Sequence, residues 1–318
     1  MTRIGILSNA HSRRNQDSLP AVERLAAEFP EVAHRSFAQI GAMPAELAAL
    51  AQGGIEHLVV NGGDGTVQAV VGELLDRSPF PTMPRVTLIG GGMTNVIAHD
   101  VGVPSAPVDA LRRILGRARN GDAGEVVRRT SIALRHGGNR TDYGFLAGAI
   151  GFYQGTRLTR RDMHRVGFRQ SLATKAGIVW SVMRLLLHGE GERSGLRGER
   201  VMIGLDGAAP QEASYLFILA TTLERLLPGV MPFWGHDHGA IKLTTIASPA
   251  RRLGRAAFPV VRGRPRPWMQ HAGYASTRAD QISLRLSSPV VLDGEVFDPG
   301  PHGQVELSAG PALAFHRY

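Results

Sequence analysis

Three glycines, an aspartate and a threonine stand together in Asn61-Gly62-Gly63-Asp64-Gly65-Thr66. The apolar run Leu58 to Val60 leads into them, and Val67, Val70, Val71, Leu74 and Leu75 follow at helical spacing. The glycines therefore lie between a strand end and a helix N-terminus, where unpaired backbone N–H groups and the positive end of the helix dipole face one spot. Such a turn suits a phosphate. Glycine also lets the backbone approach closely and reach positive φ. The carboxylate in the middle, Asp64, belongs at an anion site only if a metal or a transferring proton is there too. The plain structural alternative is an ordinary strand-to-helix turn with Thr66 as N-cap. This is not a P-loop, because no Gly-Lys-Ser/Thr follows and the chain's two lysines are Lys175 and Lys242. Any positive clamp must come from arginine or backbone.

Two more turns of this kind lie nearby in sequence order. The apolar segment Arg85 to Ile89 ends in Gly90-Gly91-Gly92-Met93-Thr94-Asn95, and a short helical turn from Val96 closes at Gly102. Ile4 to Leu7 reads as a strand that opens into Ser8-Asn9-Ala10-His11-Ser12-Arg13-Arg14-Asn15. In open α/β sheets the ligand crevice lies at the carboxyl ends of the strands. Three such loops on one sheet edge, rich in glycine, small polar residues and arginine, point to a nucleotide site.

The Gly62-Gly63-Asp64-Gly65-Thr66 run resembles the signature shared by diacylglycerol kinases, sphingosine kinases and NAD kinases. Gly92-Met93-Thr94-Asn95-Val96-Ile97-Ala98 resembles the lipid kinases' Gly-Thr-x-Asn-Asp-Phe-Ala segment. Asp293-Gly294-Glu295, after the strand-like Ile282, Leu284, Leu286 and Pro289 to Leu292, resembles their Asp-Gly-Glu motif. Order and spacing together are similar to the bacterial diacylglycerol-kinase-like lipid kinases over essentially the whole chain, whereas NAD kinases share only the first motif. Three positions depart from the pattern. Met93 replaces a threonine, with Thr94 next to it to supply a hydroxyl. Val96 stands where many members have aspartate. In Gly235-His236-Asp237-His238-Gly239, which resembles the family's second-domain metal loop, His238 replaces an acid and weakens the site for a hard cation.

The resemblance implies an ATP-dependent lipid kinase that uses Mg2+ and phosphorylates a diacylglycerol- or sphingosine-like hydroxyl. The alternatives are a kinase of a small soluble hydroxylated substrate such as NAD, and a nucleotide- or lipid-binding protein without turnover. Asn9, Arg13, Arg14, Gly62, Gly63, Asp64, Gly65, Thr66, Gly92, Thr94 and Asn95 are the expected nucleotide-binding residues. Asp64 and Asp237 are the expected metal ligands, with Asp64 also positioning the acceptor. Glu295 is the expected general base, a buried carboxylate whose proton affinity burial would raise. Without the upstream motifs, Asp293-Gly294 would read as a hairpin turn.

The elements that must hold these residues follow from periodicity. Strands are expected near 4–8, 34–37, 57–61 and 85–89, and helices near 17–28, 44–52, 66–76 and 106–118. This alternation gives an α/β domain with a parallel sheet over 1–122. Asn120-Gly121-Asp122-Ala123-Gly124 reads as a linker. A β-rich, sandwich-like second domain is expected over 125–300, with strands at 131–135, 142–150, 201–205, 215–220, 240–246 and 281–286. A basic helical insertion is expected at 156–188, and a strand over 304–318 that the resemblance returns to the first domain.

The 318 residues, 43% of them hydrophobic, suit two cores, and the absence of cysteine excludes disulfides and thiolate metal sites. No secretion signal is visible, and the longest apolar runs, 176–187 and 215–223, are too short to span a bilayer. A cytoplasmic protein, peripheral to membranes, is expected. Net charge is +9, with an isoelectric point near 10.8, which asks for an anionic partner. No nucleic-acid-binding signature is present. Arginines cluster at 157–169 and at 251–266; the plain alternative is a solvated basic surface, and it is the lipid-kinase resemblance that implies a lipid substrate at an anionic membrane surface as partner. A homodimer is left open.

Overall fold

A computed structural model of the chain describes residues 2–138, 140–157 and 196–318. Most of the expected insertion, including Arg160, Arg161, Arg165, Arg169 and the apolar run 176–187, lies outside the described residues. The chain divides into two compact units, 1–129 with 311–318, and 130–310.

In the first unit β1 (Ile4–Asn9), β2 (Val32–Phe37), β3 (His57–Gly62) and β4 (Arg85–Gly90) run parallel in the order β4-β3-β1-β2. The core strands are buried on both faces, as their unbroken apolar runs require. Side chains alternate across the sheet. Ile4 and Ile6 pack with the apolar faces of α1 (Asn15–Ala27) and α5 (Pro107–Arg119), through Val22, Leu25, Leu111 and Ile114. Gly5 points the other way, where a Cβ would meet Leu50 of α2 (Met43–Gln52) at 3.1 Å. Helices thus cover both faces. The remaining helices of this unit are α3 (Asp64–Asp76) and α4 (Val96–Val101). A C-terminal strand, β15 (Gln304–Arg317), brings Phe315 beside Val86 of β4 in parallel register.

The Asn120–Gly124 segment is a turn, yet the chain does not change units there. It enters β5 (Glu125–His136), which carries it past residue 129. Gly124, at φ 71°, has no room for a side chain, because a Cβ would sit 2.7 Å from the Arg317 carbonyl oxygen. That close approach to β15 explains the glycine better than a flexible linker does.

The second unit is antiparallel and β-rich, as expected. It contains β6 (Arg140–Gly144), β7 (Leu146–Ile150), β8 (Glu199–Leu205), β9 (Gln211–Thr221), β10 (Ile241–Ala247), β11 (Tyr274–Ala279), β12 (Gln281–Arg285), β13 (Val290–Leu292) and β14 (Glu295–Phe297). Its core is formed by Ile132, Leu134, Ile150, Val201, Ile218, Leu243, Ile282 and Leu307 among others. The expected single strand at 142–150 is two, β6 and β7, broken at Phe145. Periodicity also missed β11, α6 (Leu253–Val261) and α7 (Pro267–His271).

Beneath β15 lies a buried histidine. Thr87 Oγ1 donates to the His316 carbonyl at 2.8 Å, so it is left to accept from His57 Nε2, also at 2.8 Å. His57 Nδ1 is buried without a partner, and the ring stacks on Tyr318 at 5.6 Å. Burial, helped by His316 and Arg85, pushes its pKa down to about 4 from 6.5. The folded state therefore holds the neutral ring, and the unfolded chain takes the proton first as pH falls. This stability is complete above about pH 6.5 and is lost progressively down to about pH 4, a span worth about 3 kcal/mol. Urea midpoints measured across that window should fall with pH, and His57→Gln should flatten the slope. An identical slope in the variant would place the acid sensitivity elsewhere.

Candidate functional site

The three expected loops meet in the first unit, at the carboxyl ends of β1, β3 and β4. Side-chain amides and backbone lace them together. Asn9 Nδ2 donates to Thr66 Oγ1 at 2.8 Å, and Ser12 Oγ accepts from the Gly63 N–H at 3.3 Å. Asn15 Nδ2 donates to the carbonyls of Asn9 at 2.9 Å and Asn61 at 3.1 Å. The Gly91 N–H donates to the Gly62 carbonyl at 2.9 Å, and the Arg14 N–H to the Gly91 carbonyl at 2.8 Å. Arg14 Nη1 reaches the Gly90 carbonyl at 3.3 Å. Arg13 Nη1 bonds Gln16 Oε1 at 3.0 Å, while its Nε is buried without a partner.

The glycines work here by lacking a side chain and not, as expected, by reaching positive φ. Gly63 is extended at φ −90°, and neither Gly62 nor Gly90 to Gly92 adopts a left-handed conformation. A Cβ on Gly92 would stand 2.5 Å from the Gly63 Cα, so the first two glycine turns touch backbone to backbone. The left-handed residue is Asn95, at φ 51°. Its side chain accepts from the Gly92 N–H at 2.8 Å and donates to the Gly92 carbonyl at 2.9 Å, which fixes the turn that enters α4. Asn tolerates this conformation better than most residues. Thr94 sits half-buried on the same bend.

Asp64 is the first residue of α3, and its Oδ1 accepts from the Ile97 N–H at 3.0 Å. It therefore ties the start of one glycine-loop helix to the start of the other. Burial raises the pKa of its carboxyl, against the backbone N–H groups of Ile97, Val96 and Asn95, which lower it. Thr66 is not an N-cap. Gly63 holds that position and no side chain caps α3, so the helix presents its N-terminal N–H groups uncapped.

The other two expected residues belong to the second unit. Asp237 is exposed, and its Oδ2 accepts from Thr277 Oγ1 at 2.6 Å, which holds its carboxyl below the usual range. Among the described residues, no three His, Asp or Glu side chains converge as a metal cage. Glu295 opens β14, one residue after the two-residue turn Asp293-Gly294, whose φ values are 49° and 99°. This is the primed hairpin turn that Asp-Gly favours. The expected burial of Glu295 does not hold: it is exposed, because it follows the turn on a short strand. The buried carboxylate is Asp293, whose oxygens accept from the Phe145 and Leu146 N–H groups, both at 2.9 Å. The β6–β7 break at Phe145 supplies those donors.

Sequence reasoning quoted Ser12, Asn15 and Asn61 only as parts of their segments. Asn15 and Asn61 are almost completely buried, a depth the sequence does not show; it offered only their place directly beside the turns.

This fold is shared with solved structures of diacylglycerol kinases. The chain is similar to the crystal structure of a diacylglycerol kinase from Bacillus anthracis, at TM-score 0.62 and 16% identity over 99% of this chain and 97% of that one. A putative diacylglycerol kinase from the same organism gives TM-score 0.67 at 18% identity, over 99% and 96%. Residues 4–126 match the model of the diacylglycerol kinase catalytic domain family. A probable lipid kinase, YegS-like, of Chromohalobacter salexigens is 32% identical over 98 residues, 30% of this chain. The match spans about a third of that relative's length, 31%.

Proposed function

We propose that this protein is an ATP-dependent lipid kinase that transfers the γ-phosphoryl group to the hydroxyl of a diacylglycerol- or sphingosine-like lipid. The observation that carries the reading is the backbone contact of Gly63 with Gly92 beside the uncapped α3 N-terminus. A Cβ on Gly92 would collide with Gly63, so the turns approach this closely only as glycines, and the uncapped start of α3 beside them offers helix N-terminal donors of the kind that suit phosphate. Arg13 and Arg14, in the loop after β1, supply guanidinium donors for the phosphates. In the transfer, Glu295 accepts the lipid hydroxyl proton, the new O–P bond forms to the γ-phosphorus, the bridging P–O bond breaks, and ADP leaves. The donor set suits Mg2+ only as an ion carried mainly by the nucleotide phosphates with Asp64 as a carboxylate partner, where it would neutralise phosphate charge.

The test is incubation with radiolabelled ATP and a panel of diacylglycerol, sphingosine and NAD. A labelled lipid phosphate is expected. Labelled NADP alone would replace the lipid reading with a soluble-substrate kinase, and no product with intact ATP binding would leave a binding protein. Gly92→Ala is expected to push the two turns apart. Backbone shifts of this kind cost about 1–3 kcal/mol, so ATP affinity by calorimetry should drop on the order of tenfold or more. Unchanged affinity would move the nucleotide elsewhere.

A further inference from the structure

Between Asp237 and Asp280 the chain contains no aspartate or glutamate. In that stretch Arg251, Arg252, Arg255, Arg262, Arg264 and Arg266 are all exposed around α6. Leu253, Ala256 and Val260, at i, i+3 and i+7, hold α6 to a core with Ile246, Met269 and Tyr274. Phe258 lies two residues from Ala256, about 200° round the helix, and so points outward. At 66% exposed, it exceeds Ile40, Met83, Val126 and Val296, the other exposed large hydrophobic side chains among the described residues. Arg255 and Arg262 flank it at i−3 and i+4 on the same stripe. The Arg262 guanidinium stands 5.3 Å from the Phe258 ring centroid, and that of Arg252 stands 5.7 Å from the Trp268 ring. A helix anchored by its inner face therefore offers one bare aromatic ring in a field of guanidinium groups with no countercharge on that stretch.

We propose that this face of α6 docks the second unit on an anionic lipid bilayer, with Phe258 at the headgroup–acyl boundary and Arg255 and Arg262 on lipid phosphates. The proposal rests on the lipid-substrate reading above. Charge complementarity selects the occupant. Arginines with no carboxylate partner among the described residues need dense negative charge, and the ring between them needs an apolar layer directly beneath that charge. A bilayer surface supplies both in the same plane. The proposal goes beyond the site in the first unit and assigns the contact to residues none of which takes part in phosphoryl transfer.

The test uses the full chain and flotation with phosphatidylcholine vesicles, with and without phosphatidylserine. The parent protein should float only with the anionic vesicles. Arg255→Gln with Arg262→Gln should lower partitioning by about fivefold per arginine, and Phe258→Ser should also lower it. Arg35→Gln with Arg113→Gln, the same charge loss on exposed residues of the first unit, should have a much smaller effect. Fluorescence of Phe258→Trp should be quenched by brominated acyl chains. Phosphorylation of a short-chain diacylglycerol dispersed in solution should be unchanged in all these variants. Equal flotation of parent and α6 variants, or an unquenched Phe258→Trp, would overturn the docking proposal, and continued phosphorylation of the short-chain lipid would show that the kinase reading survives it. Docking that depends on Phe258 without any labelled lipid would uphold this proposal and remove the kinase reading. A single-stranded oligonucleotide that displaces the vesicles and shows the same dependence on Phe258 would overturn it in favour of nucleic acid.

Discussion

Replacing Glu295 with glutamine is expected to cut phosphoryl transfer at least about 100-fold, the usual loss for a missing general base. ATP affinity and melting temperature should stay at parent values. Glu295 is exposed, so the amide removes no buried interaction. The turns proposed to hold the nucleotide belong to the first unit, so binding should not sense the change. A neighbouring substitution separates chemistry from architecture. Asp293→Ala leaves the Phe145 and Leu146 N–H groups without the acceptors they have now. Each orphaned donor costs about 1–3 kcal/mol, so this variant should lose stability as well as turnover. Parent-level turnover in Glu295→Gln would take the residue out of the mechanism.

Asp100→Ala is expected to be strongly destabilising. The Asp100 side chain is fully buried on α4, and its oxygens accept from Arg129 Nε at 2.6 Å and Nη2 at 3.2 Å. Truncating one partner of a buried pair leaves the other charge uncompensated and costs about 3–5 kcal/mol. Arg112→Ala is the matched control. Its ion pair with Asp109 is about two-thirds exposed on both sides, and such pairs contribute about 0–1 kcal/mol. The shift in urea midpoint reads both. A small shift for Asp100→Ala would mean that water reaches Arg129 once the carboxylate is gone. Because α4 also supplies the N–H groups bonded to Asp64, the variant should weaken nucleotide binding too.

The parallel sheet and the glycine turns were legible because they are local. The run before Gly62 and the spacing of Val67, Val70, Val71 and Leu74 each signal an element within a dozen residues. What held the turns together was not legible. Asn15 bonds the carbonyl of Asn61 and Asp64 bonds the N–H of Ile97, and no short window contains both partners. The hairpin at Asp293-Gly294 could be read from its turn pair. The exchange of burial between Asp293 and Glu295 could not, since it depends on a strand break at Phe145. The arginine-rich stretch at 251–266 read as charge alone. Its helix is short and contains Pro259, and it shows an inner face only against the residues it packs on.

The route of β15 has a consequence for synthesis. Residues 311–318 complete the first unit only after all of the second has been made. A ribosome that has delivered residues 1–129 has therefore released a sheet whose β4 edge still lacks Phe315 and whose His57 still lacks Tyr318. Until those residues emerge, an open strand edge and a buried-type histidine stand exposed to other nascent chains. A premature stop anywhere in the second unit should then disable the first as well, and shorter translation products should call on chaperones more heavily than their length alone would suggest.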